Sequence, residues 1–193
     1  MNNFLSHKKI ILASSSPRRQ QFLSDLGLPF TIRLKPVDEV YPKELMHHQI
    51  TDYLALLKAN AFEENLDENE ILIASDTIVW HENIALGKPK NAADAFQMIH
   101  SLSGKTHEVI TSVCIKTSLK VDVFHSVSRV SFVNLTTSEI QYYIENFRPF
   151  DKAGAYGIQE WIGLIGINKI EGSYSNIVGL PVEQLYQKLK EYA

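Results

Sequence analysis

Ile71-Leu72-Ile73-Ala74-Ser75-Asp76-Thr77-Ile78-Val79-Trp80 is the stretch around which the rest of the chain is best read. Its apolar, largely β-branched run predicts a central strand. A carboxylate inside such a run is costly to bury unless it is paired, hydrogen-bonded or bound to a metal. Asp76 is therefore either a strand-end group held by a neighbouring loop or a working one, a general base or a magnesium ligand. Ile78 stands where an Asp-x-Asp motif would place its second carboxylate, so an aspartyl-phosphate mechanism has little support.

Upstream, Ile10 to Ala13 predicts a short buried strand that leads into Ser14-Ser15-Ser16-Pro17-Arg18-Arg19. Ser16 suits a helix N-cap, Pro17 the first helical position and Gly27 the stop, with Phe22, Leu23 and Leu26 on one face. Two arginines in a first turn oppose the helix dipole. They make sense if an anion binds there, served by hydroxyls, guanidinium forks and unpaired N–H groups. The alternative is a plain Ser cap with solvated arginines. The chain has no G-x-x-x-x-G-K-[ST], so this is not a Walker-type loop.

The remaining elements follow from the same signals. A strand is expected over Phe30 to Leu34. A helix is expected over 50–65, with Ile50, Tyr53, Leu54, Leu57 and Ala61 inward, and Glu63 to Glu70 reads as a solvated loop or fraying end. His81-Glu82-Asn83 turns the central strand into a short one at Ile84 to Leu86. Asn91 caps a helix carrying Ala95, Phe96, Ile99 and Leu102, with Asp94 placed for a capping box. His107 to Lys116 and Val121 to Asn134 alternate as a hairpin, and Thr136-x-x-Glu139 is a second capping box with Leu135 and Ile140 as its staple. Pro181 opens a last helix with Val182, Leu185, Tyr186 and Leu189 inward. Six of the nine glycines follow residue 150, which suits a wall where backbone approaches a ligand, or twisted strands and turns. Interleaved helices and strands make the class α/β with a mixed sheet.

Other polar residues have two readings each. Lys88, in Gly87-Lys88-Pro89, is a solvated loop lysine or a functional one, and Lys58 lies beside an apolar helix stripe where it could snorkel. Asp38-Glu39 could be surface charge and Asp151-Lys152 a surface ion pair. The seven histidines show no H-x-x-x-H spacing, and the adjacent His47-His48 are poorly placed to chelate. Cys114 alone permits no internal disulfide and no cysteine zinc cluster, and its apolar setting predicts a buried, inert thiol.

The 193 residues carry 19 Lys+Arg against 22 Asp+Glu, too little positive charge for a general nucleic-acid binder. Within that balance residues 1–60 are net +3 and residues 61–193 net −6. No apolar run approaches the ~20 residues of a membrane span, and the N-terminus lacks a signal peptide's apolar region, so a cytoplasmic enzyme is expected.

Taken jointly, the motifs resemble the Maf family of nucleoside triphosphate pyrophosphatases over nearly the whole chain. The matching runs are Leu12-Ala13-Ser14-x-Ser16-Pro17-Arg18-Arg19-x-x-Phe22-Leu23, Asp38-Glu39, Leu54-x-x-x-Lys58-Ala59, Ala74-x-Asp76-Thr77-x-Val79 and Gly87-Lys88-Pro89. They continue through Leu102-Ser103-Gly104-Lys105-Thr106-His107-x-Val109-x-Thr111 and Asp151-Lys152-Ala153-Gly154-Ala155-Tyr156-Gly157-Ile158-Gln159 to Gly172-Ser173-Tyr174-x-Asn176-x-Val178-Gly179-Leu180-Pro181.

The resemblance implies one two-lobed α/β domain over residues 1–193, related to inosine triphosphatases, with a long bent mixed sheet flanked by helices and a central cleft. It implies hydrolysis of a nucleoside triphosphate to the monophosphate and pyrophosphate with a divalent metal, Mg2+ or Mn2+. By carry-over Asp76 is the general base. Ser14, Arg18, Arg19, Lys58 and Lys88 hold the triphosphate, and Glu39 joins Asp76 in placing metal or water. Arg18, Thr77 and Gln159 resemble the set in members that prefer dTTP and UTP, since a Gln amide can read the O4/N3–H edge of the base. The alternatives are 7-methyl-GTP or another modified nucleotide as substrate, or a nucleotide-binding regulator of septum formation. Trp80-His81-Glu82-Asn83 and Glu160-Trp161 depart from the family pattern. Members are often dimers, so a homodimer is the implied assembly, though no pattern in the sequence marks an interface.

Overall fold

A computed structural model describes residues 5–62 and 66–193. Residues 63–65 lie outside it, and with them the far end of the helix expected over 50–65 and the start of the acidic stretch Glu63–Glu70. The first half of the chain forms β1 (Lys9–Leu12), α1 (Pro17–Asp25), β2 (Phe30–Ile32), α2 (His48–Asn60), β3 (Glu70–His81), β4 (Ile84–Leu86) and α3 (Ala92–Leu102). The second forms β5 (Thr106–Lys116), β6 (Val121–Phe132), α4 (Thr137–Phe147), a 3-10 turn at Ala153–Ala155, α5 (Trp161–Gly166), β7 (Ile167–Glu171), α6 (Tyr174–Val178) and α7 (Val182–Lys190).

The seven strands form a mixed sheet in the order β2-β1-β3-β5-β6-β7, with β4 paired to β3. β1 runs parallel to both neighbours, Ile10 opposite Phe30 and Ile71. β4 and β7 run antiparallel to β3 and β6. The chain divides into two compact units: Met1–Asp76 with Thr111–Ser126 and Gly179–Ala193, and Thr77–Ile110 with Val127–Val178.

In the first unit, strands covered on both faces explain the near-continuous apolar runs. Ile10, Leu12, Ile71, Ile73, Val113 and Ile115 pack with Leu23 of α1 and with Leu185 and Leu189 of α7. The alternate residues Ile11, Leu72, Ala74 and Cys114 pack with Ala55, Ala59 and Phe62 of and after α2. Each fully buried Leu or Ile in these layers contributes roughly 1.5–3 kcal/mol. Three expectations need correction here. Ser16 occupies the N-cap of α1, but its hydroxyl caps nothing; its N–H donates instead to Ser14 Oγ at 3.2 Å. On α2 the buried stripe is Ile50, Thr51, Leu54, Ala55 and Ala59, so Tyr53 stands 37% exposed and Lys58 falls within the inward-facing arc. Glu70 is not solvated: it is 2% exposed and ion-paired to Arg33.

In the second unit one core joins Val79 of β3, Val109 of β5, and Val130 and Phe132 of β6 to Ala95, Ile99 and Leu102 of α3 and to Ile140, Tyr143 and Ile144 of α4. Glu82 and Asn83 take positive φ of 49° and 62°, as the two-residue β3–β4 hairpin requires. Thr136 and Glu139 complete the capping box of α4. Asn91 accepts from Asp94 N–H, but Asp94 reaches past it to the N–H of Lys90 at 2.8 Å, so that box is only half formed. Several of the glycines after residue 150 stand in close packing in this unit. Gly154 has φ +66°, and a Cβ there would meet Val79 Cγ2 at 2.7 Å; a Cβ on Gly163 would strike the Ile158 carbonyl. No helix among the described residues is long and apolar enough to cross a membrane.

Candidate active site

β1 ends at Leu12, and the chain enters α1 at Pro17 after residues 13–16. Pro17 needs no N–H there, which is why the helix begins so sharply. Its first turn carries Arg18 and Arg19, both half-buried. Arg19 Nε donates to the Gly179 carbonyl at 2.8 Å, and Nη1 donates to the Ser75 carbonyl at 3.0 Å and to Ser14 Oγ at 3.3 Å. Burial draws the guanidinium down to about 10, against the pull of the Asp76 carboxylate, which favours its charge. Arg19 is thus a brace beneath Ser75 and Asp76, midway along β3, and Ser14 is turned into the same cluster.

Asp76 closes the first unit's share of β3. Lys58, in the last turn of α2, reaches it: Nζ lies 2.6 Å from Asp76 Oδ1 and 3.0 Å from Glu39 Oε1. A cation is also favoured at that helix end by the dipole. The Lys58 side chain is 16% exposed, Asp76 9% and Glu39 46%, so two carboxylates at different depths share one nearly buried ammonium. Lys58 therefore does more than snorkel, and Glu39, although exposed, has it as a partner. Beside them the Ser75 hydroxyl is buried with no hydrogen-bond partner among the described residues. Sequence reasoning passed over Ser75 and the Gly179 carbonyl. A hydroxyl beside Asp76 in an apolar run was a signal for the first, while nothing local marked the second.

Thr77, Lys88 and Gln159 belong to the second unit. Thr77 is half-buried on β3, and Lys88 and Gln159 are exposed. The loop of Lys88 is held by a hydrogen bond from Gly154 N–H to the Gly87 carbonyl at 3.0 Å. Gln159 precedes Glu160, whose carboxylate accepts from the Tyr143 hydroxyl and pairs with Lys152 at 3.0 Å. Lys152 also meets Asp151 at 2.7 Å, and its side chain is 11% exposed. The expected surface pair is accordingly one end of a longer network, in which a largely buried Lys152 joins the exposed Asp151 to Glu160, a departure from the pattern.

In chemical terms the first unit presents hydroxyls, cations and two convergent carboxylates. Carboxylate oxygens are the hard donors that Mg2+ and Mn2+ take, commonly one or two from the protein with the rest from substrate phosphate and water. The donor set of Glu39 and Asp76 fits such an ion, with Lys58 as the cation that pairs with both, one positive charge against two negative.

Residues 9–192 match the family described as Maf-like protein. The chain belongs to the Maf family. A relative from Flavobacterium johnsoniae, named dTTP/UTP pyrophosphatase, is 62% identical over 185 residues, covering 96% of this chain and 95% of its own. Maf relatives with the same name from Christiangramia forsetii and Bacteroides fragilis (strain YCH46) are 56% and 47% identical, over 99% and 97% of this chain and 97% of each of theirs. The Ham1 protein of Staphylococcus aureus shares the Maf chain's fold at a TM-score of 0.53 and 15% identity, covering 96% of this chain and all of that one.

Proposed function

We propose that this Maf protein hydrolyses dTTP and UTP, cutting between the α- and β-phosphates to yield the monophosphate and pyrophosphate, as a house-cleaning activity toward unwanted nucleotides. The observation that carries the reading is the meeting of Lys58 with Asp76 and Glu39, set against the Arg19 brace. Relatives 46–62% identical to this chain bear the name dTTP/UTP pyrophosphatase, which supports the choice of substrate.

In this reading Asp76 accepts the proton of the attacking water. Ser14, Arg18, Arg19, Lys58 and Lys88 bind the triphosphate, whose charge is the main obstacle to attack. Glu39 and Asp76 hold a divalent ion that neutralises phosphate charge when bound. Arg18, Thr77 and Gln159 select the pyrimidine. Water supplies the hydroxyl that stays on the monophosphate, and pyrophosphate leaves with its bridging oxygen.

A panel of triphosphates tests this, with pyrophosphate and orthophosphate measured separately. The expected result is Mg2+-dependent pyrophosphate from dTTP and UTP, abolished by EDTA. Orthophosphate as the product, or faster turnover of 7-methyl-GTP, overturns the assignment. Nucleotide binding without turnover would make the chain a sensor.

A further inference from the structure

His48 and Asp52 sit one turn apart on α2, and β6 brings His125 against them. One ligand atom from each of the three lies within 4.8 Å of the others. The imidazoles of His48 and His125 stack at 4.1 Å with 24° between their planes, and His125 Nδ1 lies 3.4 Å from Asp52 Oδ2. Nothing in the chemistry proposed for Asp76 uses these side chains. Sequence spacing conceals them: His48 stands next to His47 in the chain, whereas its partner lies on a strand far along it.

The carboxylate of this trio is oriented from behind. The Ser112 hydroxyl donates to Asp52 Oδ1 at 2.6 Å and is itself 2.6 Å from the hydroxyl of Thr51. Ser112 and Thr51 are fully buried. A buried hydroxyl that fixes one oxygen of a carboxylate and turns the other toward two imidazoles is the kind of support that metal ligands receive from the residues around them.

We propose that His48, Asp52 and His125 form a second metal site, selective for a borderline transition dication of the Zn2+ type. Two imidazoles and one carboxylate suit such an ion and are poor donors for Mg2+. Tetrahedral ligands at about 2.1 Å stand about 3.4 Å apart, so modest turns of the two rings close the set, with water as the fourth ligand. The ion would tie the first turn of α2, the helix that carries Lys58, to β6 within the first unit. This site is separate from the oxygen donors of Glu39 and Asp76.

Equilibrium dialysis of the full chain against Zn2+ in millimolar Mg2+ tests the proposal, with Cu2+ electron paramagnetic resonance as a second readout. Wild type is expected to bind one Zn2+ per chain at this site, and Cu2+ should show coupling to imidazole nitrogen. His48→Gln and His125→Gln should each weaken Zn2+ binding at least about tenfold and remove nitrogen coupling, and Ser112→Ala should weaken it about tenfold. Hydrolysis with Mg2+ should be unchanged in all three. Metal-free melting curves establish that each variant is folded; Asp52→Asn, nearly isosteric, decides the matter if a histidine variant is not. Undiminished Zn2+ affinity in the folded variants, or a wild type that takes up no Zn2+, overturns the proposal. Neither result bears on dTTP or UTP turnover.

Discussion

Lys58 Nζ lies 2.6 Å from Asp76 Oδ1, with both side chains largely withdrawn from water. The contact fixes the orientation of a carboxylate that β3 carries midway along its length. Asp76→Asn preserves the shape but removes the proposed proton acceptor, and a general base contributes about 10²–10⁴-fold. Turnover of dTTP should fall by about 10³-fold with the melting transition still cooperative. Retention of more than about a tenth of the rate would show that another group takes the proton.

Arg19 joins Ser14, Ser75 and Gly179 through one planar guanidinium. Arg19→Met leaves those acceptors without their donor and should destabilise the first unit by roughly 2–4 kcal/mol. Arg19→Lys should recover little, because an ammonium cannot reproduce the fork. Urea unfolding midpoints check both, and a variant as stable as wild type would remove the bracing role.

His107 is buried, donates or accepts at the Tyr156 hydroxyl at 2.7 Å, and has been driven by burial from 6.5 down to about 3. The folded protein therefore holds this imidazole neutral where the unfolded chain protonates it. The stability it contributes is present above about pH 6.5 and is lost as pH falls toward 3, at up to about 1.4 kcal/mol per pH unit. His107→Gln should flatten this slope between pH 6 and 4, as read from urea midpoints. An unchanged slope would place the acid sensitivity elsewhere.

Gly154 combines φ +66° with a side-chain position already filled by Val79. Gly154→Ala should cost roughly 1–3 kcal/mol, since both the backbone and the packing oppose it. Its N–H also holds the Gly87 carbonyl, one residue before Lys88, so KM for the nucleotide should rise as well. A loss of stability with KM unchanged would separate the packing from the loop.

Much of this was legible in the chain. β1 and β3 announced themselves because a strand covered on both faces leaves no polar alternation, and Asp76 stood out against that run by the cost of burying it. Proline, Asn91 and Thr136 marked helix starts through backbone chemistry that acts within three or four residues. On α2 the sequence offers Tyr53 and Leu57 as well as Thr51 and Ala55 beside Ile50 and Leu54, and only packing chooses the second pair. Glu39 could not be told from surface charge by its neighbours, because its partner Lys58 meets it through the fold. The burial of Glu70 followed from an arginine, Arg33, that pairs with it across the sheet. Long-range pairs of this kind carry no local period.

Cys114 is wholly buried among Ile11, Leu72, Ala74 and the inward residues of α2, and burial pushes its thiol up to about 12. As the sole thiol of the chain it is silent toward disulfide reagents while the first unit is closed. Its rate of modification is then a built-in clock for local opening of β5 away from α2. The protein thus carries a native reporter of breathing in the unit that holds Asp76, one that needs no engineered label.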